Sequence, residues 1–217
     1  MKNWDANHLR YERNPEAIYA ESFAIVRRQA RLTHLPDDIA AIAVRLAHAV
    51  GMVEIADYLV FSNQICAVAR TALAAGAPIL CDCEMVRSGV IRRVLPADNP
   101  LIVTLNDHGV AEHAKSIGNT RSAAAVEAWE PHCHGSVVTI GNAPTALFHL
   151  LELIDKGFPK PAAILGFPVG FVGAAQSKAA LAAHSRGVEF ITLRGRRGGS
   201  ALASAAVNAL CIGMKNA

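Results

Sequence analysis

Ser136-Val-Val-Thr-Ile140-Gly-Asn-Ala-Pro-Thr145 is the stretch that decides the fold. Its first half is β-branched and mostly apolar without alternation, which marks a strand buried on both faces. Gly141-Asn142 then breaks the run, and Pro144 suits the first position of a helix that the following apolar pattern carries over residues 144–156. Strand, turn and helix in this order make one unit of an α/β sheet.

The same unit recurs outward in both directions. Pro78-Ile-Leu-Cys-Asp82, Leu101-Ile-Val-Thr-Leu105, Ala162-Ala-Ile-Leu165 and Glu189-Phe-Ile-Thr-Leu193 are four further strand candidates. Helical segments over 110–117, 120–129, 174–186 and 200–211 fall between and after them. The expected fold is α/β: a flavodoxin-like three-layer α/β/α arrangement with a five-stranded parallel sheet in the order 2-1-3-4-5 and right-handed crossovers. Helices over 15–32, 37–50 and 63–75 precede it, as an extra layer or as an arm toward a partner subunit. A chain of 217 residues without a linker reads as a single domain, 1–217.

Composition removes several functions. Hydrophobic residues make up 52% and charged residues 18%, with a net charge of +3 and aromatics at 6%, so no basic, aromatic-laced nucleic-acid surface is expected. The start, Met1-Lys-Asn-Trp-Asp-Ala-Asn-His8, is too polar for a signal peptide, and the most apolar window, 162–175, is interrupted by Gly and Pro. A soluble cytoplasmic protein with no membrane partner is the expectation. Five cysteines, an odd number without a CxxC, read as free thiols. Cys81 and Cys83 would share one strand face, and His132-Cys-His134 matches no zinc spacing, so no metal is expected.

Ligands of open α/β sheets sit beyond the carboxyl ends of the strands. There, Gly141-Asn142 before Pro144-Thr145 offers backbone N–H groups to a carboxylate or phosphate, or simply caps a helix. Arg194-Gly-Arg196-Arg197-Gly-Gly-Ser200 suits several carboxylates, or is a solvated basic loop. Asn119 and Thr120 can cap the next helix, whose first turn holds Arg121, a cation the helix dipole disfavours unless an anion is near. Gly166-Phe-Pro-Val-Gly-Phe-Val-Gly173 lacks GxGxxG spacing and no Walker A sequence occurs, which leaves a nucleotide reading weak and a bulky apolar ligand or close backbone packing more natural.

Arg45-Leu-Ala-His-Ala-Val-Gly-Met-Val-Glu54 sets an imidazole, His48, in a small apolar run. Pro36 with Asp37 and Asp38 opens this helix and Gly51 closes it. Val44, Arg45 and His48 then share a face. His48 is either a proton carrier or a hydrogen-bonded core histidine, and an anion held by Arg45 would favour the charged ring.

Taken together, Ala17-Ile-Tyr-Ala-Glu-Ser-Phe-Ala-Ile25, Arg45-Leu-Ala-His-Ala-Val-Gly51, Gly76-Ala-Pro-Ile-Leu-Cys-Asp82, Ile117-Gly-Asn-Thr-Arg-Ser-Ala-Ala124, Ile140-Gly-Asn-Ala-Pro-Thr-Ala-Leu147, the Pro161 to Ala175 segment and Arg194-Gly-Arg-Arg-Gly-Gly-Ser-Ala201 give a chain that resembles the precorrin-8X methylmutases of cobalamin biosynthesis over essentially its full length. The resemblance implies an isomerase that moves a methyl group from C11 to C12 of precorrin-8X to yield hydrogenobyrinic acid, with no cofactor or metal. It implies His48 as proton donor and acceptor at the ring C nitrogen, Ser22 and Arg45 as substrate contacts, and a homodimer with sites near the subunit interface. The substrate's carboxylates then give Arg121, Arg194 and Arg196 a use, with Asn119, Thr120, Asn142 and Thr145 as further substrate-binding candidates. A tetrapyrrole carrier without catalysis is the alternative.

Overall fold

The structure is a computed structural model that describes residues 11–215, so the polar run 1–8 lies outside the described residues. The strands are β1 (Leu59–Phe61), β2 (Ile79–Cys81), β3 (Leu101–Ile102), β4 (Val137–Ile140), β5 (Ala163–Gly166) and β6 (Glu189–Leu193), in the order β1-β6-β5-β4-β2-β3. All five expected strands form, parallel and in the flavodoxin-like order. The correction is a sixth strand. β1 runs antiparallel to β6, with Leu59 opposite Leu193 and Phe61 opposite Ile191, so the sheet is mixed instead of purely parallel. Three residues carry no usable periodicity. What makes them a strand is the open edge of β6, whose backbone groups need a partner.

Side chains of the inner strands part to two cores. Ile79, Cys81, Val137, Leu165 and Ile191 face one side, while Leu80, Val138, Ile140, Ile164 and Phe190 face the other. The first side is covered by α3 (Ile65–Ala74) and α10 (Ser200–Lys215), the second by α8 (Pro144–Asp155) and α9 (Ala174–Ala183). Three layers result.

The N-terminal helices α1 (Pro15–Gln29) and α2 (Asp37–Val50) lie outside this sandwich. α2 has an apolar stripe, Ile39, Ile42, Ala43 and Leu46, that joins the core under α10, while Phe23 and Val26 of α1 pack on its other side against Val44 and Ala47. They form an extra layer, the first of the two arrangements anticipated. Pro36 is the N-cap of α2 instead of its first residue, and Gly51 ends it in the left-handed region at φ 67°.

Two short helices were not anticipated. α4 (Glu84–Gly89) starts directly after β2, with Cys83 as its N-cap, and Cys81 and Cys83 are both buried in the core beneath α10. α5 (Val110–Ser116) and α6 (Arg121–Glu127) agree with the pattern, but α7 (Glu130–Cys133) folds the His132-Cys133 stretch into a helix with Cys133 buried. All five cysteines are buried thiols outside any disulfide. Among the described residues no cluster of three or more His, Cys, Asp or Glu is arranged to hold a metal ion, and no helix is long and apolar enough to cross a membrane.

Candidate active site at the joint of α1 and α2

Packing of Phe23 and Val26 onto α2 brings Ser22 to His48, and Ser22 Oγ lies 2.8 Å from His48 Nδ1. Phe23 stacks on the imidazole, with centroids 4.8 Å apart and planes at 15°, and Tyr19 approaches it at 5.2 Å. Arg45, one turn before His48, reaches over the Phe23 ring at 5.2 Å, and its Nη1 donates to the Tyr19 hydroxyl at 3.4 Å. The imidazole is therefore fixed on one nitrogen and on one face. Its second nitrogen, Nε2, has no hydrogen-bond partner among the described residues.

His48 is half-buried and borders open space, which decides against a sealed core histidine. A cleft of 380 Å³ is lined by Tyr19, Arg45, His48, Met85, Ile91 and Asn208, with small residues of α10 as its floor. An adjoining hollow of 570 Å³ shares Tyr19, Arg45 and Ile91 with it. A third, of 470 Å³, meets His48 from the Ser22 side. These volumes fall in the range of ligand sites, and their walls are apolar with few polar groups.

At the carboxyl end of the sheet the backbone has already chosen its anion. The Asp82 carboxylate, just after β2, accepts from the N–H groups of Gly141 at 2.9 Å, Asn142 at 2.8 Å and Ala143 at 2.8 Å. The N-terminus of α8 is thus capped by the protein's own side chain, the second of the two readings offered for this turn. Burial pushes the Asp82 carboxyl up from its ordinary range, and the three N–H donors pull against that shift. Asn142 is left exposed beside it.

The other candidates surround this end. Thr120 accepts from Ala123 N at 3.2 Å as the cap of α6, Asn119 accepts from Thr120 N at 2.8 Å, and the Thr120 and Thr145 hydroxyls meet at 2.8 Å. Arg121 is exposed in the first turn of α6, without a carboxylate partner among the described residues. Arg196 lies over Phe171 at 5.4 Å, and Phe171 is 85% exposed. Arg194 borders a separate hollow with Val60, Lys178 and Thr192. The fold therefore brings Ser22, Arg45 and His48 together and links Thr120 to Thr145, but none of the cavities described here joins these two groups.

Sequence reasoning missed Tyr19, Phe23 and Asp82. Tyr19 lies three residues before Ser22, one turn away on the same side of α1, and that spacing was a usable signal. Asp82 ends a strand candidate in the sequence, but its partners lie 59 to 61 positions away.

Comparison with known proteins places this geometry. A family model described as precorrin-8X methylmutase matches residues 17–212. A precorrin-8X methylmutase of Pseudomonas aeruginosa is 60% identical over 200 residues, covering 92% of this chain and 96% of the relative. A cobalt-precorrin-8 methylmutase of Priestia megaterium is 33% identical over 199 residues, covering 91% and 88%. The crystal structure of the Thermus thermophilus precorrin-8X methylmutase superposes with a TM-score of 0.82 at 34% identity, covering 91% of this chain and 95% of that one. Because the match runs through both N-terminal helices and every strand, and a relative is 60% identical over 92% of it, the chain belongs to the precorrin-8X methylmutase family.

Proposed function

We propose that this protein is the isomerase that converts precorrin-8X to hydrogenobyrinic acid by a C11 to C12 methyl shift in cobalamin biosynthesis, with His48 as the proton carrier. The observation that carries the assignment of His48 is its two nitrogens: Nδ1 is held by Ser22 while Nε2 is unpartnered beside a cleft. As imidazolium, the ring donates Nδ1–H to Ser22 Oγ and presents Nε2–H to the ring C nitrogen of the substrate. Protonation there draws electron density from the conjugated system and lowers the barrier to a suprafacial shift. Nε2 then recovers the proton while Ser22 keeps the tautomer. Atoms and electrons balance without a cofactor, since the proton is lent and returned.

Arg45 pairs with a substrate carboxylate and so holds the ring beside His48, one turn away. Phe23 and Tyr19 supply an aromatic wall for the flat ring. Arg121, Arg194, Arg196, Asn119, Thr120, Asn142 and Thr145 hold the remaining acid arms. Their separation from the His48 cleft within one chain supports a homodimer in which a second copy supplies part of the site. Nearly twice the identity to a precorrin-8X enzyme as to a cobalt-precorrin-8 enzyme favours a metal-free substrate. Buried thiols outside any disulfide suit the reducing cytoplasm.

Incubating catalytic amounts of the protein with precorrin-8X and following the visible spectrum tests this reading. Conversion to the product spectrum over many turnovers is expected. Binding without conversion would leave only carriage. Within the mechanism, Ser22→Ala removes one hydrogen bond worth about 1 kcal/mol, so turnover should fall by about fivefold with KM nearly unchanged. An unchanged turnover number would show that His48 needs no help in keeping its tautomer.

A further inference from the structure

The α9 sequence Ala174-Ala-Gln-Ser-Lys-Ala-Ala-Leu-Ala-Ala183 contains a single charged residue, Lys178, and the fold buries it to 1% exposure. It has no carboxylate partner among the described residues. An ammonium without a counter-charge is costly in an interior unless its N–H groups are used. Lys178 Nζ spends one on the carbonyl of Arg197, in the loop between β6 and α10. Burial draws this ammonium down to about 8, so at neutral pH it is still mostly a charged donor.

The rest of the loop is fastened around that point. The Arg197 guanidinium turns away onto the Tyr58 ring at 4.3 Å. Gly199 N donates to Phe167 O at 2.8 Å, and Gly170 N to Arg196 O at 3.4 Å. Gly198 lies so close to the Phe167 and Pro168 carbonyls that a Cβ there would sit 2.4 and 2.3 Å from them, which no other residue could accept. Arg194, Arg196 and Arg197 are all exposed, and what sets Arg197 apart is its seat on Tyr58. Arg197 anchors the loop, while Arg196 rests on the exposed Phe171 ring and Arg194 borders the hollow beside Lys178, both without a carboxylate partner among the described residues.

We propose that Lys178 is a positioning residue for substrate binding: by donating to the Arg197 carbonyl it holds the 194–199 loop in the shape that presents Arg194 and Arg196 to the carboxylates of the substrate. This rests on the reading of those two arginines given above. Lys178 touches neither substrate nor reacting atoms, and its influence passes through the loop backbone.

The test compares wild type with Lys178→Met, which keeps the length and removes the donor, and Lys178→Gln, which restores a neutral donor. Lys178→Met should raise KM for precorrin-8X by about tenfold with kcat within about twofold, and Lys178→Gln should recover part of the loss. Thermal stability of Lys178→Met should not fall, because removing an unpaired buried charge offsets the lost hydrogen bond. In an Arg194→Ala/Arg196→Ala background, Lys178→Met should change KM no further. Hydrogen exchange of the loop amides in the free protein should speed up by about tenfold in Lys178→Met, a readout independent of turnover and measurable in Lys178→Gln if the Met variant folds poorly. Wild-type KM in Lys178→Met, an equal KM rise without the two arginines, or unaltered exchange would each overturn the proposal. Failure of wild type to convert precorrin-8X would instead strike the methylmutase reading, while the exchange measurement still decides whether Lys178 holds the loop.

Discussion

His48→Ala is expected to lower turnover of precorrin-8X by about a hundredfold to ten-thousandfold, the usual contribution of a positioned general acid and base, while binding of the product changes by less than about tenfold. The asymmetry follows from where the side chain sits. His48 is half-buried at the edge of the cleft, with Phe23 stacked on one face and Ser22 on Nδ1, so its removal deletes the proposed proton carrier without collapsing the wall. Arg45 and Tyr19 stay in place to hold the ligand, tied by their own contact. Single-turnover conversion and product titration on the same preparation measure the two effects separately. Turnover at the wild-type rate would remove His48 from the chemistry, and a parallel loss of product binding would make it a binding residue.

Asp82→Ala should cost about 3 kcal/mol or more of folding stability. Three backbone N–H groups, those of Gly141 and Ala143 buried and that of Asn142 part-buried, would lose their acceptor at once, and each buried loss is worth about 1–3 kcal/mol, with partial relief if water enters. The amides cannot swing to new partners, because Gly141 is wedged against Ser200 of α10 and Val86 of α4. Asp82→Asn keeps one carbonyl acceptor and should lose roughly half as much. The midpoint of urea unfolding, with an unchanged slope, reads the difference. A shift below about 0.5 kcal/mol would mean that the turn holds itself together without the carboxylate. Since this turn carries Asn142 and leads to Thr145, a weakened KM in the surviving folded protein is the expected companion effect.

Both predictions concern contacts of different legibility. Arg45 and His48 could be paired from spacing alone, because a helix fixes which residues are neighbours within a turn. Ser22 was reached through the family pattern, and its contact with His48 across 26 positions needed α1 to dock on α2. Asp82 is legible as the polar end of an apolar strand candidate, yet nothing local says that its carboxylate fills the N-terminus of α8, since that depends on β2 and β4 lying side by side. The same holds for Lys178, which in the sequence is one lysine in an alanine-rich helix.

The five parallel strands, their helices and the order of the units were set by the sequence itself: unbroken apolar runs demand cover on both faces, and right-handed crossovers leave few ways to provide it. Tertiary structure decided the rest. β1 exists because β6 has an edge to satisfy, α4 because the chain must turn after β2, and the cleft because α1 and α2 stack outside α10 instead of joining the sandwich. Local periodicity reports which face of an element is buried. It carries no information about which distant backbone group, edge or charge will be waiting there, and both the contact of Ser22 with His48 and the capping by Asp82 depend on that.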